Sequence, residues 1–266
     1  EVHARDDVWR PRGTGDTLSL RVPVLIDLSP PRLDVETATR YPRAGGAAVA
    51  VVRASGAESV GVTVGENFFR GYPREDAPDQ FVVLYALEID HPAGELPLAV
   101  VTDRAGNRSR RELPVVLRET AVPTGAVNLS DDWLANKLPA LLPDIDTTDE
   151  QALVEGFLYV SRDMRAAAAA QRLELARASA DERHWDGAFL QLPNSRSTSS
   201  FGVKRTYRID GRDLDTQVHQ GYDLASTARA PAPAANAGVV VFSGPLTLYG
   251  NTVVIDHGQG LLSLYG

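Results

Sequence analysis

The sequence predicts a multidomain, mainly β protein in three blocks: a β-sandwich, a helical connector and a second, antiparallel β domain. Three observations carry this reading. Short Val- and Leu-rich runs, punctuated by Gly, Pro, Asp and Asn clusters, fill residues 18–120. Helical periodicity dominates 121–184, and strand and turn character returns over 185–266. With 266 residues, 43% of them hydrophobic, the chain is long enough for more than one core.

Residues 1–17 are charged and lack periodicity, so they read as a tail or linker. The sandwich strands are expected in Leu18–Leu28, Ala47–Ala54, Gln80–Ile89, Leu96–Thr102 and Arg110–Leu117. Between the last two lies Asp103-Arg104-Ala105-Gly106-Asn107, which has hairpin turn chemistry. It resembles the D-x-A-G-N turn of bacterial immunoglobulin-like modules, which makes the sandwich immunoglobulin-like. The arginines around it, Arg104, Arg108, Arg110 and Arg111, read as a solvated face.

In the middle block, Ser130 with Asp131 and Asp132 is expected to cap a short helix reaching Leu138, which Pro139 discourages from continuing. Thr147 and Glu150 have capping-box spacing ahead of a long helical run from Gln151 to Ala178. Leu153, Phe157, Val160 and Met164 recur at helical spacing and read as a core stripe. In the last block, Gly238–Ser243, Thr252–Asp256 and Leu261–Tyr265 read as strands, with Gly258-Gln259-Gly260 as a tight hairpin turn. The sequence starts without Met and stops at Gly266, directly after an apolar strand that still needs a sheet neighbour. It therefore reads as a stretch of a longer product, cut short at its C-terminal side.

Composition narrows the function. With 27 Lys+Arg against 35 Asp+Glu the net charge is −8, which disfavours a general nucleic-acid binder. No apolar run approaches the roughly 20 residues of a transmembrane helix. The absence of Cys removes disulfides, thiolate zinc sites and Cys nucleophiles.

The segment with chemical character is His219-Gln220-Gly221-Tyr222-Asp223. Imidazole and carboxylate both ligate zinc, and Gly221 argues for an extended or turning segment with both side chains on one side. Taken alone, an isolated His-x-x-x-Asp is a weak signal and reads as a satisfied polar contact at a strand edge rather than as a metal site.

The context adds to it. Ser200-Phe201-Gly202-Val203-Lys204-Arg205, then His219 to Ala225, then Gly250-Asn251-Thr252-Val253-Val254-Ile255-Asp256-His257-Gly258-Gln259-Gly260-Leu261 follow one another in order. Leu262-Ser263-Leu264-Tyr265-Gly266 completes the last motif. From about Gly187 to Gly266 the chain resembles the lysostaphin/LytM-type zinc metallopeptidases, which are peptidoglycan hydrolases. The resemblance implies that His219 and Asp223 are the first two zinc ligands. It implies a third ligand in an H-x-H motif and catalytic histidines, all expected beyond Gly266, so no catalytic residue is named here. His257, in the D-H-G turn, is read as turn support, and His3, His91 and His184 as surface or connector residues.

The implied activity is zinc-dependent hydrolysis of peptide cross-links in bacterial peptidoglycan, in the periplasm or outside the cell. An extended cross-link rich in Gly or D-Ala would suit a narrow β groove. An envelope protein is a candidate partner for the N-terminal module. With two ligands of the three that a catalytic zinc needs, the sequence as given is expected to be inactive and to bind zinc poorly. The alternative is a degenerate, non-catalytic regulator that activates another wall hydrolase. Retention of both His219 and Asp223 counts against it.

Overall fold

The computed structural model describes residues 2–5, 17–21 and 26–266. Strand β1 (Val2–Arg5) pairs antiparallel with β2 (Thr17–Leu20), so the segment read as a tail contains a strand. Of the run expected over Leu18–Leu28, residues 22–25 lie outside the described residues, and Ile26 and Leu28 are exposed and not in a strand.

The sandwich comprises β3 (Arg32–Ala38), β4 (Ala47–Ser55), β5 (Ser59–Val64), β6 (Asn67–Arg70), β7 (Tyr72–Pro73), β8 (Gln80–Ala86), β9 (Leu98–Thr102) and β10 (Arg108–Glu112). One sheet has the order β3-β4-β8-β7 and the other β10-β9-β5-β6, with antiparallel pairing throughout. Assigned in chain order, these are the ABED and GFCC′ sheets of an immunoglobulin-like sandwich. Alternate residues of β4 face inward, so Ala50 and Val52 pack against Val62, Val83, Ala99 and Val101, all fully buried.

The Asp103 turn closes as expected. The Asp103 carboxylate accepts from the Asn107 backbone N–H at 2.8 Å and its side-chain amide at 3.0 Å, and Gly106 sits at φ +87°. Burial alone would raise the Asp103 carboxyl. These bonds outweigh burial and hold it below its ordinary value. In the opposite sense, burial pushes Tyr85 up to about 12, and its hydroxyl has no partner among the described residues. Tyr85→Phe should therefore stabilise the sandwich by about 1 kcal/mol, because it removes a buried, unpaired donor. A lowered midpoint in denaturant unfolding would contradict that.

The middle block begins with a strand, contrary to a purely helical connector. Strand β11 (Thr124–Asn128) runs parallel to β13 (Lys204–Ile209), which pairs antiparallel with β14 (Arg212–Val218). This sheet is mixed only through β11, which comes from the connector block; the strands of residues 185–266 pair antiparallel among themselves, as expected.

Helix α1 (Asp131–Lys137) is capped by Ser130 as expected, and Pro139 sits in a 3₁₀ turn that prolongs it over Leu138–Ala140. Helix α2 (Glu150–Tyr159) is capped by Asp149, whose carboxylate accepts from Gln151 N–H at 2.9 Å, and not by Thr147. A π turn over Val160–Met164 joins it to α3 (Arg165–Arg177). Leu153 and Phe157 lie in a second core with Leu134, Leu138 and Ile209, packed on the mixed sheet. Phe157 meets Tyr207 at a ring separation of 5.2 Å.

Strand β12 (Arg196–Ser199) pairs with β15 (Asp223–Ala225), and β16 (Val239–Pro245), β17 (Asn251–Asp256) and β18 (Leu262–Tyr265) form an antiparallel sheet. The β17–β18 turn docks on the segment after α3. Asp256 accepts from Ser179 Oγ, Ala180 N–H and Gly258 N–H at 2.6–2.9 Å. Arg70 of the sandwich forms a bidentate pair with Asp181, both contacts at 2.9 Å, in that same segment.

Candidate functional site

His219 directly follows β14 and Asp223 opens β15, so the Gln220-Gly221-Tyr222 turn folds one side chain onto the other. His219 Nε2 lies 3.1 Å from Asp223 Oδ1. Backbone bonds pin the turn, because His219 N–H donates to Val203 O at 2.9 Å and Gly202 N–H to His219 O at 2.8 Å. Asp223 is held through β12, where Thr198 Oγ1 donates to Asp223 O at 3.2 Å.

The acceptor-only partner of Nδ1 assigns the tautomer of the neutral His219 ring. His219 Nδ1 lies 2.8 Å from the Ser200 carbonyl oxygen, which only accepts, so the proton sits on Nδ1. In the neutral ring Nε2 is then an acceptor turned toward the acceptor Asp223 Oδ1. Two facing lone pairs at 3.1 Å need a cation between them, either a proton or a metal. Ligand bonds of about 2.1 Å at a tetrahedral angle put two donors about 3.4 Å apart, close to this separation.

The remaining contacts orient the pair. Ser199 Oγ is 3.1 Å from His219 Nδ1. Arg205 Nη2 donates to Ser199 Oγ and lies 3.3 Å from Asp223 Oδ2, leaving Oδ1 to face His219. Arg205, Ser199, His219 and Asp223 thus close a ring of polar contacts. His219 is the sheltered member, its side chain 15% exposed against 53% for Asp223, so a ligand would approach from the carboxylate side.

The donor set fits part of a zinc site. One imidazole and one carboxylate are suitable ligands, but no three His, Cys, Asp or Glu side chains are placed to hold a metal ion together among the described residues. His257 does not complete it. It is fully buried, with Nδ1 2.6 Å from Ala237 O, Nε2 2.8 Å from Ser263 Oγ and its ring edge-on to Phe189. That is a turn support, as expected.

The pair opens into a groove of about 850 Å³ whose walls are α3, the His219–Asp223 turn and β18. Sequence reasoning gave no role to Ser199, Arg205 or the α3 wall. Arg205 lies within the quoted Ser200–Arg205 motif, so a signal for it was present. Nothing local marks α3 as a groove wall.

The sandwich also touches this region. A Cβ built on Gly202 would lie 2.8 Å from Ile89 Cδ1, and one on Gly45 3.5 Å from Phe201 Cε1. The β8–β9 loop therefore rests on the Phe201-Gly202 turn, next to the Ser200 carbonyl that holds His219.

Residues 217–266 match Peptidase family M23, in agreement with the resemblance read from the motifs. The matched span contains His219 and Asp223 and starts after the Ser200–Arg205 segment. No curated protein matches the chain. Among solved structures, the N-terminal Ig1-2 module of the Drosophila receptor protein tyrosine phosphatase DLAR is similar at 10% identity. It aligns over 38% of this chain and 61% of that one, with a TM-score of 0.26. The BIgI domain of the beta protein from S. agalactiae, bound to CEACAM1, is similar at 7% identity over 34% of this chain and 100% of that domain, with a TM-score of 0.23. The immunoglobulin-like assignment rests on the strand order.

Proposed function

We propose that the protein, whose C-terminal span matches Peptidase family M23, is a zinc-dependent endopeptidase acting on the peptide cross-links of bacterial peptidoglycan, with His219 and Asp223 as two of its zinc ligands. The single observation that carries the reading is the His219 Nε2 to Asp223 Oδ1 separation of 3.1 Å, with the ring proton committed to Ser200 O on the other side. On this reading a third ligand joins them from the H-x-H segment that the family carries. The work is done in the bacterial envelope, in the periplasm or outside the cell. No helix among the described residues is long and apolar enough to cross a membrane.

Bound zinc supplies Lewis-acid chemistry, polarising a scissile carbonyl and acidifying a water. The chain's own residues prepare for it. Ser200 O fixes the tautomer and orientation of His219, in the manner of the outer partners that ligating histidines use. Arg205 takes one oxygen of Asp223 and leaves the other free to ligate. The sandwich resting on Phe201-Gly202 braces the loop that holds His219.

The test is release of soluble fragments from purified peptidoglycan by the full-length protein that carries this segment. Hydrolysis is expected to stop on chelation, to return with added zinc, and to be lost in Asp223→Ala. Chelator-insensitive hydrolysis would overturn the zinc reading. An inert full-length protein that accelerates a separate wall hydrolase would replace the enzyme by a non-catalytic regulator.

A further inference from the structure

Ile89, half-buried in the β8–β9 loop of the sandwich, touches two glycines of positive φ. Gly45, at +75°, belongs to the β3–β4 loop, and Gly202, at +88°, lies just before β13. A Cβ built on Gly202 would stand 2.8 Å from Ile89 Cδ1, closer than side-chain carbons approach one another. One built on Gly45 would stand 3.4 Å from Ile89 Cγ1. The Ile89 side chain thus occupies a seat that exists because Gly202 has no side chain of its own.

Both sides of the seat are tied down. On the sandwich side, Gly45 N–H lies 2.9 Å from Glu88 O and 3.1 Å from Leu87 O, which fixes the loop carrying Ile89. On the other side, Gly202 N–H donates to His219 O at 2.8 Å and His219 N–H to Val203 O at 2.9 Å. One residue, Gly202, therefore stands between Ile89 and His219. A second contact steadies the sandwich. Arg70 pairs with Asp181, and Tyr72 Oη lies 3.6 Å from the Cβ position of Gly260 in the β17–β18 turn. The Arg70–Asp181 pair is more than half exposed, 58% and 61%, and contributes little alone. The packed apolar seat is the stronger link, because closely packed atoms transmit a displacement that a solvated ion pair absorbs.

We propose that Ile89 is a positioning residue for His219, so that the sandwich, seated through Ile89 on Gly202, sets how firmly the His219–Asp223 pair is held. The inference rests on the zinc reading only for the ligand that the pair takes. The coupling of seat to turn belongs to the metal-free chain. Ile89→Ala removes Cγ1 and Cδ1, the atoms that meet the two glycines, and the glycines have nothing with which to fill the gap. The Phe201-Gly202 turn then opens more often, and the Gly202–His219 hydrogen bonds open with it.

The test is residue-resolved amide hydrogen exchange of the metal-free chain by NMR, for the parent, Ile89→Ala and Ile89→Leu. Exchange at Gly202 and His219 is expected to rise about tenfold in Ile89→Ala, while the amides of β4 and β8 keep the parent rates. Ile89→Leu, which retains δ-methyl groups and nearly the same volume, should restore most of the protection. Thermal melting checks that each variant keeps its fold. Calorimetric titration with Zn²⁺ is the second readout, with affinity lowered about threefold to tenfold in Ile89→Ala and regained in Ile89→Leu. Unchanged exchange at Gly202 and His219 overturns the proposal, whatever the metal result. So does equal acceleration throughout the sandwich strands, or unaltered affinity in Ile89→Ala where the parent binds zinc. A parent that binds no zinc removes the metal reading and leaves the exchange result to decide the positioning role.

Discussion

Gly258→Ala is expected to destabilise the C-terminal part by about 3 kcal/mol or more, the largest effect of any single methyl addition proposed here. Gly258 sits at φ +85°, where a Cβ is strained in any event. A Cβ there would also lie 1.8 Å from the Glu182 carbonyl oxygen and 2.9 Å from its carbon. Both are backbone atoms that cannot swing aside. The turn and the segment after α3 must separate, breaking His184 N–H to His257 O at 2.8 Å and Gln259 N–H to Ala180 O at 2.6 Å. The check is a thermal melt followed by tryptophan fluorescence, since Trp185 lies just after that segment. An unchanged melt would mean the turn does not dock as described.

The second large effect belongs to Asp256, 4% exposed and accepting three hydrogen bonds. Burial alone would raise its carboxyl. The bonds from Ser179, Ala180 and Gly258, with the field of His184, outweigh burial and hold it below the ordinary value. The sign of the linkage follows. With the folded value depressed, the contribution is fully present above the unfolded value near 3.9, and is lost as pH falls through the folded one. Asp256→Asn should therefore cost about 3 kcal/mol at neutral pH, because an amide presents one acceptor oxygen in place of two. It should also flatten the acid limb of the stability curve below about pH 4. A variant as stable as the parent at pH 7, with the same acid limb, would contradict this account.

The legible parts of the fold are those whose signal is local. Ala47–Ala54 and Thr252–Asp256 are apolar runs bounded by turn residues, and both form strands, β4 and β17. Arg32–Ala38 was not expected as a strand. Its charged residues face outward on an edge, and only the β4 pairing makes it one. Thr124–Asn128 was missed for a stronger reason, since it forms by parallel pairing with a strand some 80 residues later in the chain. The π turn after α2 likewise depends on a distant group. Ser161 Oγ donates to Asp215 at 2.6 Å and Arg162 pairs with the same carboxylate at 3.2 Å. At the α2 start the Thr147–Glu150 capping-box pattern misled because the helix begins at Glu150 itself, so the residue directly before it, Asp149, is the cap.

The candidate site divides along the same line. His219 and Asp223 were singled out because they lie within five residues of each other inside a run of motifs that resembles the metallopeptidases, and the structure brings the two side chains together. Ser199 and Arg205 come from other strands, and α3 reaches the groove only through the packing of that helix.

The most direct test of the central claim is metal binding by the chain itself, measured calorimetrically with Zn²⁺ for the parent, His219→Ala, Asp223→Ala and His91→Ala. His91 serves as the control, because its Nε2 lies 2.7 Å from Glu95 O in a sandwich loop. The account predicts one weak site per chain, its affinity lowered at least about tenfold by either site variant and unchanged by the control. Equal affinity in the parent and in His219→Ala would contradict it.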